Sequence, residues 1–489
     1  MLFNSHIFML LFLPLLLAGW YFLNWKKKFQ LAQGYLIGMS LWFYAYANLQ
    51  YLWLLLFSCL IGWLLSCLPE KIFSEKGKKV LTGVGCVFHL GLLGYFKYSN
   101  FFLENLNTVF HTDFPMLQIL LPVGISFYTF QQLAYLIDRC RGDAPRDSFF
   151  DYLTFMVYFP QLLQGPILLR SEFMGQLKEP ERRRFHAGRF SEGIQFFVFG
   201  LAKKVLLADT LAKAVNYGYS NVSMLDSISA LLLAAGYLTE LYFDFSGYCD
   251  MAVGLGKMIG LEVAENFDAP FHSASVKEFW RRWHMTLGRF FTRYVYIPLG
   301  GNRKGKMRTL CNVMIVMLLS GLWHGAAWTF VLWGFLHGVG MIWDNLEHPH
   351  LPKKWMRQAA TFAYVCMTFV FFRAESIAQG IDVLKSIVSL KWNGFVFQMA
   401  SALDLTEFYM IAKALSMKLP GLLSWFWLGI FVVLIAICFR VLSGKKVSGV
   451  VALQKQKGYG RLYPVLLAFL FTWSMISMTG VSEYLYFSF

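Results

Sequence analysis

The chain is 489 residues long, with 57% hydrophobic, 18% aromatic and only 15% charged residues, and its mean hydropathy is +0.50. Soluble domains carry about 25% charged residues, and here the deficit runs along the whole sequence, which excludes one soluble domain on one anchor. The net charge of +16 would suggest nucleic acid in a soluble protein, but the Lys and Arg residues sit in short loops between apolar runs, the positive-inside pattern of a polytopic membrane protein.

Residues 7–23 are apolar and end at Lys26, Lys27 and Lys28. The opening Met1 to Trp20 lacks a basic n-region and a small-residue cleavage site, so it reads as a retained first span. Runs at 30–48 and 51–68 lead to a second basic loop with Lys71, Lys76, Lys78 and Lys79. Runs near 80–98 and 117–137 follow, separated by residues 99–116 without Lys or Arg, and end at Arg139, Arg141 and Arg146. This alternation predicts an external N-terminus and three cytoplasmic basic loops. Residues 148–168 are apolar but broken by Pro160, Gly165 and Pro166, and the next loop, from Arg170 to Arg189, is basic again. Both flanks then lie on one side, which predicts a piece that dips in and returns. Irregular backbone at membrane depth survives only when protein or a watered cavity surrounds it.

Spans are expected near 192–213 and 226–243, and residues 263–308 are the most basic segment, with nine Lys or Arg from Lys277 to Arg308. The run 309–345 is interrupted at Ser320-Gly-Leu-Trp-His-Gly325 and is followed by Lys353, Lys354 and Arg357; a single span would put that loop outside, whereas a second re-entrant hairpin, the preferred reading, keeps it inside. Spans near 358–372, 421–439 and 462–480 complete the set, and 373–420 is amphipathic and ambiguous. The expected fold class is an all-α polytopic membrane protein of about ten spans with an external C-terminus.

A histidine inside a membrane segment is costly and is a functional candidate by default. His324 lies between Gly321 and Gly325 in an apolar run, where a neutral imidazole can take a proton from a hydroxyl or thiol. A core histidine bonded to a carbonyl is the other reading, and both stay open on periodicity alone. His284 ends Phe279-Trp-Arg-Arg-Trp-His284, a pattern that also suits a headgroup-level helix. Arg281, Arg282, Arg289 and Arg293 suit the phosphates of a cytoplasmic donor. His337 reads as structural, and His348-Pro-His350 is a weak metal signal, so no metal site is expected. Asp244 and Asp250 read as capping or pairing groups, and Lys203 and Lys204 as snorkelling side chains. The eight cysteines form no C-x-x-C pair and read as buried thiols. No phosphate-binding loop and no nucleophile elbow occur, so neither an ATP-driven pump nor a serine esterase is indicated.

Three stretches together resemble the membrane-bound O-acyltransferase family, in its bacterial alginate and peptidoglycan O-acetyltransferase branch. They are Asn266-Phe-Asp-Ala-Pro-Phe271 with Phe279–His284 and Tyr294–Arg303; Ser320–Ala326; and Tyr242-Phe-Asp-Phe-Ser-Gly-Tyr248. Pro122–Tyr128, Phe159-Pro-Gln161 and Gln164-Gly-Pro-Ile167 support them, with Gln164 departing from the small residue expected there. The resemblance covers most of 1–345, which it implies is the acyltransferase core, with 346–489 as further helices of the same membrane domain. It implies a ring of spanning and re-entrant helices around a central tunnel, His324 as catalytic histidine and His284 as the second polar position. The ending Tyr484-Leu-Tyr-Phe-Ser-Phe489 resembles a C-terminal motif of these systems and makes Tyr486 a candidate acyl relay; an aromatic belt is the other explanation.

The function implied is transfer of an acetyl group from acetyl-CoA, as substrate with no bound cofactor, to a cell-envelope polysaccharide or peptidoglycan. An extracytoplasmic SGNH-type acetyltransferase or esterase is the implied partner, and a bacterial cytoplasmic (inner) membrane the location. D-alanyl transfer to teichoic acids from a carrier protein is the nearest alternative, and a non-enzymatic transporter or flippase is the alternative of another class.

Overall fold

The computed structural model describes residues 1–67, 74–346, 352–403, 405, 408–439, 444, 446–458, 460, 462–478 and 484–485. His348, His350 and Tyr486 lie outside them. Every regular element among the described residues is a helix, as the sequence pattern predicts. By length and apolar composition, Phe8–Trp25, Phe29–Cys67, Glu75–Phe110, Ser227–Ile259 and Lys306–His324 are long enough to cross a membrane; the chain is a multi-pass membrane protein. Two compact units form, one of Met1–Val198, Tyr248–Glu265 and Arg289–Ile297, the other of Phe199–Gly247, Asn266–Gly288 and Pro298–Phe489.

In the first unit, the 39 residues Phe29–Cys67 would extend roughly 58 Å as one helix, about twice a bilayer's apolar thickness. The rod breaks at Asn48, whose φ of −157° and ψ of 69° leave the helical region before the 3-10 turn Leu49–Tyr51. The two runs read from the sequence are thus two segments. The next two runs are placed differently from expectation. The helix starting at Glu75 continues through a π turn to Phe110, and the following one begins only at Ile125. Apolar Leu117, Leu120 and Leu121 therefore lie in exposed irregular chain. Two asparagines hold it. Asn100 exchanges side-chain hydrogen bonds with both backbone groups of Leu117, at 2.9 and 2.8 Å, and Asn107 does the same for Phe114 at 3.0 and 2.9 Å. Hydropathy carries no trace of such side-chain pairing, which supplies the partners that a helix would have given.

The interrupted piece falls into helices Phe149–Val157, Phe159–Leu162 and Arg170–Leu177. Residues 154–168 are buried throughout, the condition that lets irregular backbone persist at depth. Gly124, at φ +78°, meets this piece: a Cβ there would strike the Leu162 carbonyl oxygen, so only glycine fits.

In the second unit, helix Lys306–His324 turns at Gly325–Ala327 and returns as Trp328–Asn345. The arms are antiparallel and close. A Cβ on Gly321 would collide with the Phe330 carbonyl oxygen, and one on Gly334 with that of Met317. The basic loops at either end led to the expectation of a re-entrant hairpin; of the two arms, Lys306–His324 is long and apolar enough to count among the candidate spans. Lys354–Arg373 packs beside it. The ambiguous 373–420 region resolves into Ile377–Val388, capped by Ser376, then Phe395–Ser401 and Tyr409–Lys418. Pro420–Ile437, Val447–Lys457 and Leu462–Ser477 follow.

Candidate active site

The hairpin turn decides where His324 stands. It is the last residue of the first arm, 4% exposed, and aromatic rings enclose it edge-on: Trp323 at 4.9 Å, Trp333 at 5.1 Å and Phe372 at 5.1 Å between centroids. Phe330 closes against Phe372 at 4.9 Å. Gly325 is glycine because a Cβ would run into the Phe330 ring. Trp333 Nε1–H is buried and has no acceptor among the described residues, which leaves a donor inside this apolar enclosure.

His284 occupies the turn between helices Val276–Arg282 and Met285–Phe291. It is 1% exposed and sits at φ +46°, a left-handed conformation that costs a side-chain-bearing residue about 1–3 kcal/mol and clusters at functional sites. Asn266 holds it there. Asn266 Oδ1 accepts from Thr286 N–H at 3.1 Å and from Thr286 Oγ1 at 3.0 Å, and lies 3.2 Å from His284 Nδ1; Met285 N–H donates to its backbone carbonyl at 3.0 Å. A backbone N–H only donates, so the atom it meets is the amide oxygen. An oxygen that only accepts then requires His284 Nδ1 to donate. The proton is on Nδ1 and the ring's lone pair on Nε2. Burial pushes the His284 pKa down to about 3, so the ring stays neutral. It lies outside the candidate spans. Phe245 packs edge-on at 4.7 Å and Trp323 at 6.2 Å. The two histidines therefore flank one indole, that of Trp323.

His337 has the opposite tautomer and a different life. Trp280 Nε1–H donates to its Nδ1 at 3.2 Å, and an indole only donates, so Nε2 carries the proton and gives it to Thr368 Oγ1 at 2.9 Å. Thr368 passes its own hydroxyl hydrogen to Val365 O at 2.9 Å. Both ring nitrogens are spent, and the expected structural role fits.

The four arginines differ in availability. Arg289 forms a two-pronged pair with Glu172 and also donates to Ile167 O at 3.0 Å. Arg293 bridges Asp138 and Asp143, each at 2.9 Å. Arg282 pairs with Glu278 at 2.8 Å. Arg281 is exposed and forms no ion pair among the described residues, so it alone of the four carries an uncommitted guanidinium there. No cluster of three or more metal-ligating side chains occurs among the described residues.

Two features escaped the sequence reading. Asn266 was visible only as part of a motif, and its grip on His284 arises across 18 residues of chain. Lys204 does not snorkel: it is 2% exposed and reaches Asp244 at 2.6 Å and Asp209 at 2.9 Å. A lysine and an aspartate inside apolar runs carried the signal, because neither is tolerated there without a partner.

Residues 145–379 match the model of the MBOAT, membrane-bound O-acyltransferase family. The chain is 35% identical to a peptidoglycan O-acetyltransferase of Helicobacter pylori, with 80% of each chain covered. It is 39% identical to "Probable alginate O-acetylase AlgI" of Azotobacter vinelandii, over 77% of this chain and 76% of that one. A teichoic acid D-alanyltransferase of Streptococcus thermophilus is 28% identical over 49% of this chain and 58% of its own.

Proposed function

The chain belongs to the membrane-bound O-acyltransferase family and is an acyltransferase, and on that footing we propose that it moves an acetyl group from cytoplasmic acetyl-CoA across the membrane. The acetyl group is destined for O-acetylation of a cell-envelope polysaccharide or peptidoglycan, handed on by an extracytoplasmic SGNH-type partner. The setting is a bacterial cytoplasmic membrane with both termini external. Residues 1–345 form the acyltransferase core, and 346–489 continue the same membrane domain.

The observation that carries this reading is the pair of buried imidazoles flanking Trp323. His324 acts as general base. It takes the proton of an acceptor hydroxyl as that oxygen attacks the thioester carbonyl; the C–S bond then breaks, and the thiolate leaves and is protonated. The oxyanion formed on the way needs a donor, and Trp333 Nε1–H is a buried one beside His324. His284, with its lone pair on Nε2, serves as a fixed hydrogen-bond acceptor that orients a hydroxyl or thiol. Arg281 is the group best placed to meet donor phosphates. The thioester supplies the driving force.

Tyr486 is the proposed relay: its hydroxyl takes the acetyl group and passes it to the external partner. The test is Tyr486→Phe in cells. Envelope O-acetylation should disappear while the protein accumulates normally; unchanged acetylation removes the relay and leaves the enzyme. The same residues would serve D-alanyl transfer from a carrier protein, and the D-alanyltransferase relative favours that second reading over about half the chain. Supplying labelled acetyl-CoA or D-alanyl carrier protein to the purified enzyme separates the two.

A further inference from the structure

The second unit holds a buried charge cluster that the chemistry above does not use. Lys204 lies in the π-helical turn Lys203–Ala208, a kind of distortion that recurs at functional sites. Its ammonium reaches Asp244 Oδ1 at 2.6 Å and Asp209 Oδ1 at 2.9 Å. Asp244 is 1% exposed and stands within helix Ser227–Ile259. One turn on, Gly247 lets the helices meet: a Cβ there would lie 2.7 Å from the Gly200 carbonyl oxygen, too near for any larger residue. That close approach is what allows a short aspartate to span to the lysine.

The remaining oxygen, Asp244 Oδ2, accepts the backbone N–H of Leu485 at 3.1 Å. Tyr484, fully buried, lays its ring 4.7 Å from the Lys204 ammonium. Three segments far apart in sequence thus converge on one ion pair, and the third is four residues from the end of the chain. Burying two charges costs more desolvation than their attraction recovers unless further hydrogen bonds complete the site, and the best-attested use of such pairs is to fix one arrangement among several. The last acceptor here is spent on a main-chain N–H, which recognises position along the chain.

We infer that the Lys204–Asp244 pair is a dock for the C-terminal segment, fixing Tyr484 and Leu485 in place, and that acyl transfer through the proposed Tyr486 relay depends on this dock. Lys204 and Asp244 are positioning residues. The dock rests on the described contacts, and its consequence for transfer rests on the relay reading.

The test is hydrogen–deuterium exchange of the full-length protein in nanodiscs, read on the C-terminal peptide, alongside acetyl transfer. Asp244→Ala should raise exchange at the Leu485 amide by about tenfold or more, the equivalent of one lost hydrogen bond to a charged group. Asp244→Asn, which keeps an acceptor oxygen, should fall between it and the parent. Should the alanine variant fail to accumulate, Tyr484→Leu removes the ring over Lys204 without stranding a charge and should loosen the same peptide. Unchanged exchange in these variants overturns the dock. Faster exchange with acetyl transfer intact keeps the dock and removes the relay reading; loss of both supports the two together.

Discussion

Replacing Asn266 by aspartate converts a silent positioning contact into a visible titration. The carboxylate would stand where the amide oxygen now accepts from His284 Nδ1 at 3.2 Å, and it would still accept from Thr286 N–H and Oγ1. Two unit charges about 4 Å apart attract by roughly 4 kcal/mol at an effective dielectric of 20, and about 1.4 kcal/mol is one pKa unit. The imidazole therefore rises by about three units. Burial alone depresses wild-type His284, to about 3, with no charged neighbour contributing. The variant ring should titrate near about pH 6. Below that value Nε2 carries a proton and can no longer accept a hydrogen bond, so activity falls as pH falls. The assay is kcat for acetyl transfer by purified enzyme from about pH 5 to 8. The variant should show an acid limb with about a tenfold loss one unit below its pKa, and the parent should show none from His284. A variant profile parallel to the parent's refutes both the tautomer and the role of Nε2.

Other substitutions separate packing from chemistry. His337→Leu strands the Trp280 indole N–H, so it should cost about 1–3 kcal/mol, seen as a lower Tm, while activity per folded molecule is preserved. Gly321→Ala drives a methyl into the Phe330 carbonyl and should destabilise the hairpin by about 1–3 kcal/mol, with Tm and activity falling together. Arg281→Ala should raise the KM for acetyl-CoA with kcat little changed; Arg289→Ala should instead lower Tm, because it leaves Glu172 without its two-pronged partner.

What was legible in the sequence was whatever loop charge and backbone chemistry announce. Pro160, Gly165 and Pro166 marked the broken buried piece, and the basic loops around 309–345 favoured a return over a single span; the two helices there meet at the turn that carries His324. What escaped depended on partners distant in sequence. Leu117–Leu121 looks like the start of a span until Asn100 is seen holding Leu117, and Asn107 holding Phe114 just before it, in irregular chain. His284 read as a candidate with a headgroup-level helix as alternative and His337 as structural, with nothing to fix the protonation of either. Only Asn266 on one and Trp280 with Thr368 on the other show that their tautomers are opposite. Asp244 read as a capping or pairing group and Lys204 as a snorkelling side chain; that each is the other's partner shows only across 40 residues.

The account turns on the imidazole of His324 taking a proton during acyl transfer. The direct measurement is single-turnover transfer of labelled acetyl from acetyl-CoA, comparing His324→Ala with the parent at matched amounts of folded enzyme in proteoliposomes. Loss of a positioned base should slow transfer by about a hundredfold or more, with the binding of acetyl-CoA little altered. Transfer within a few-fold of the parent would show that the ring in the hairpin turn is only packing.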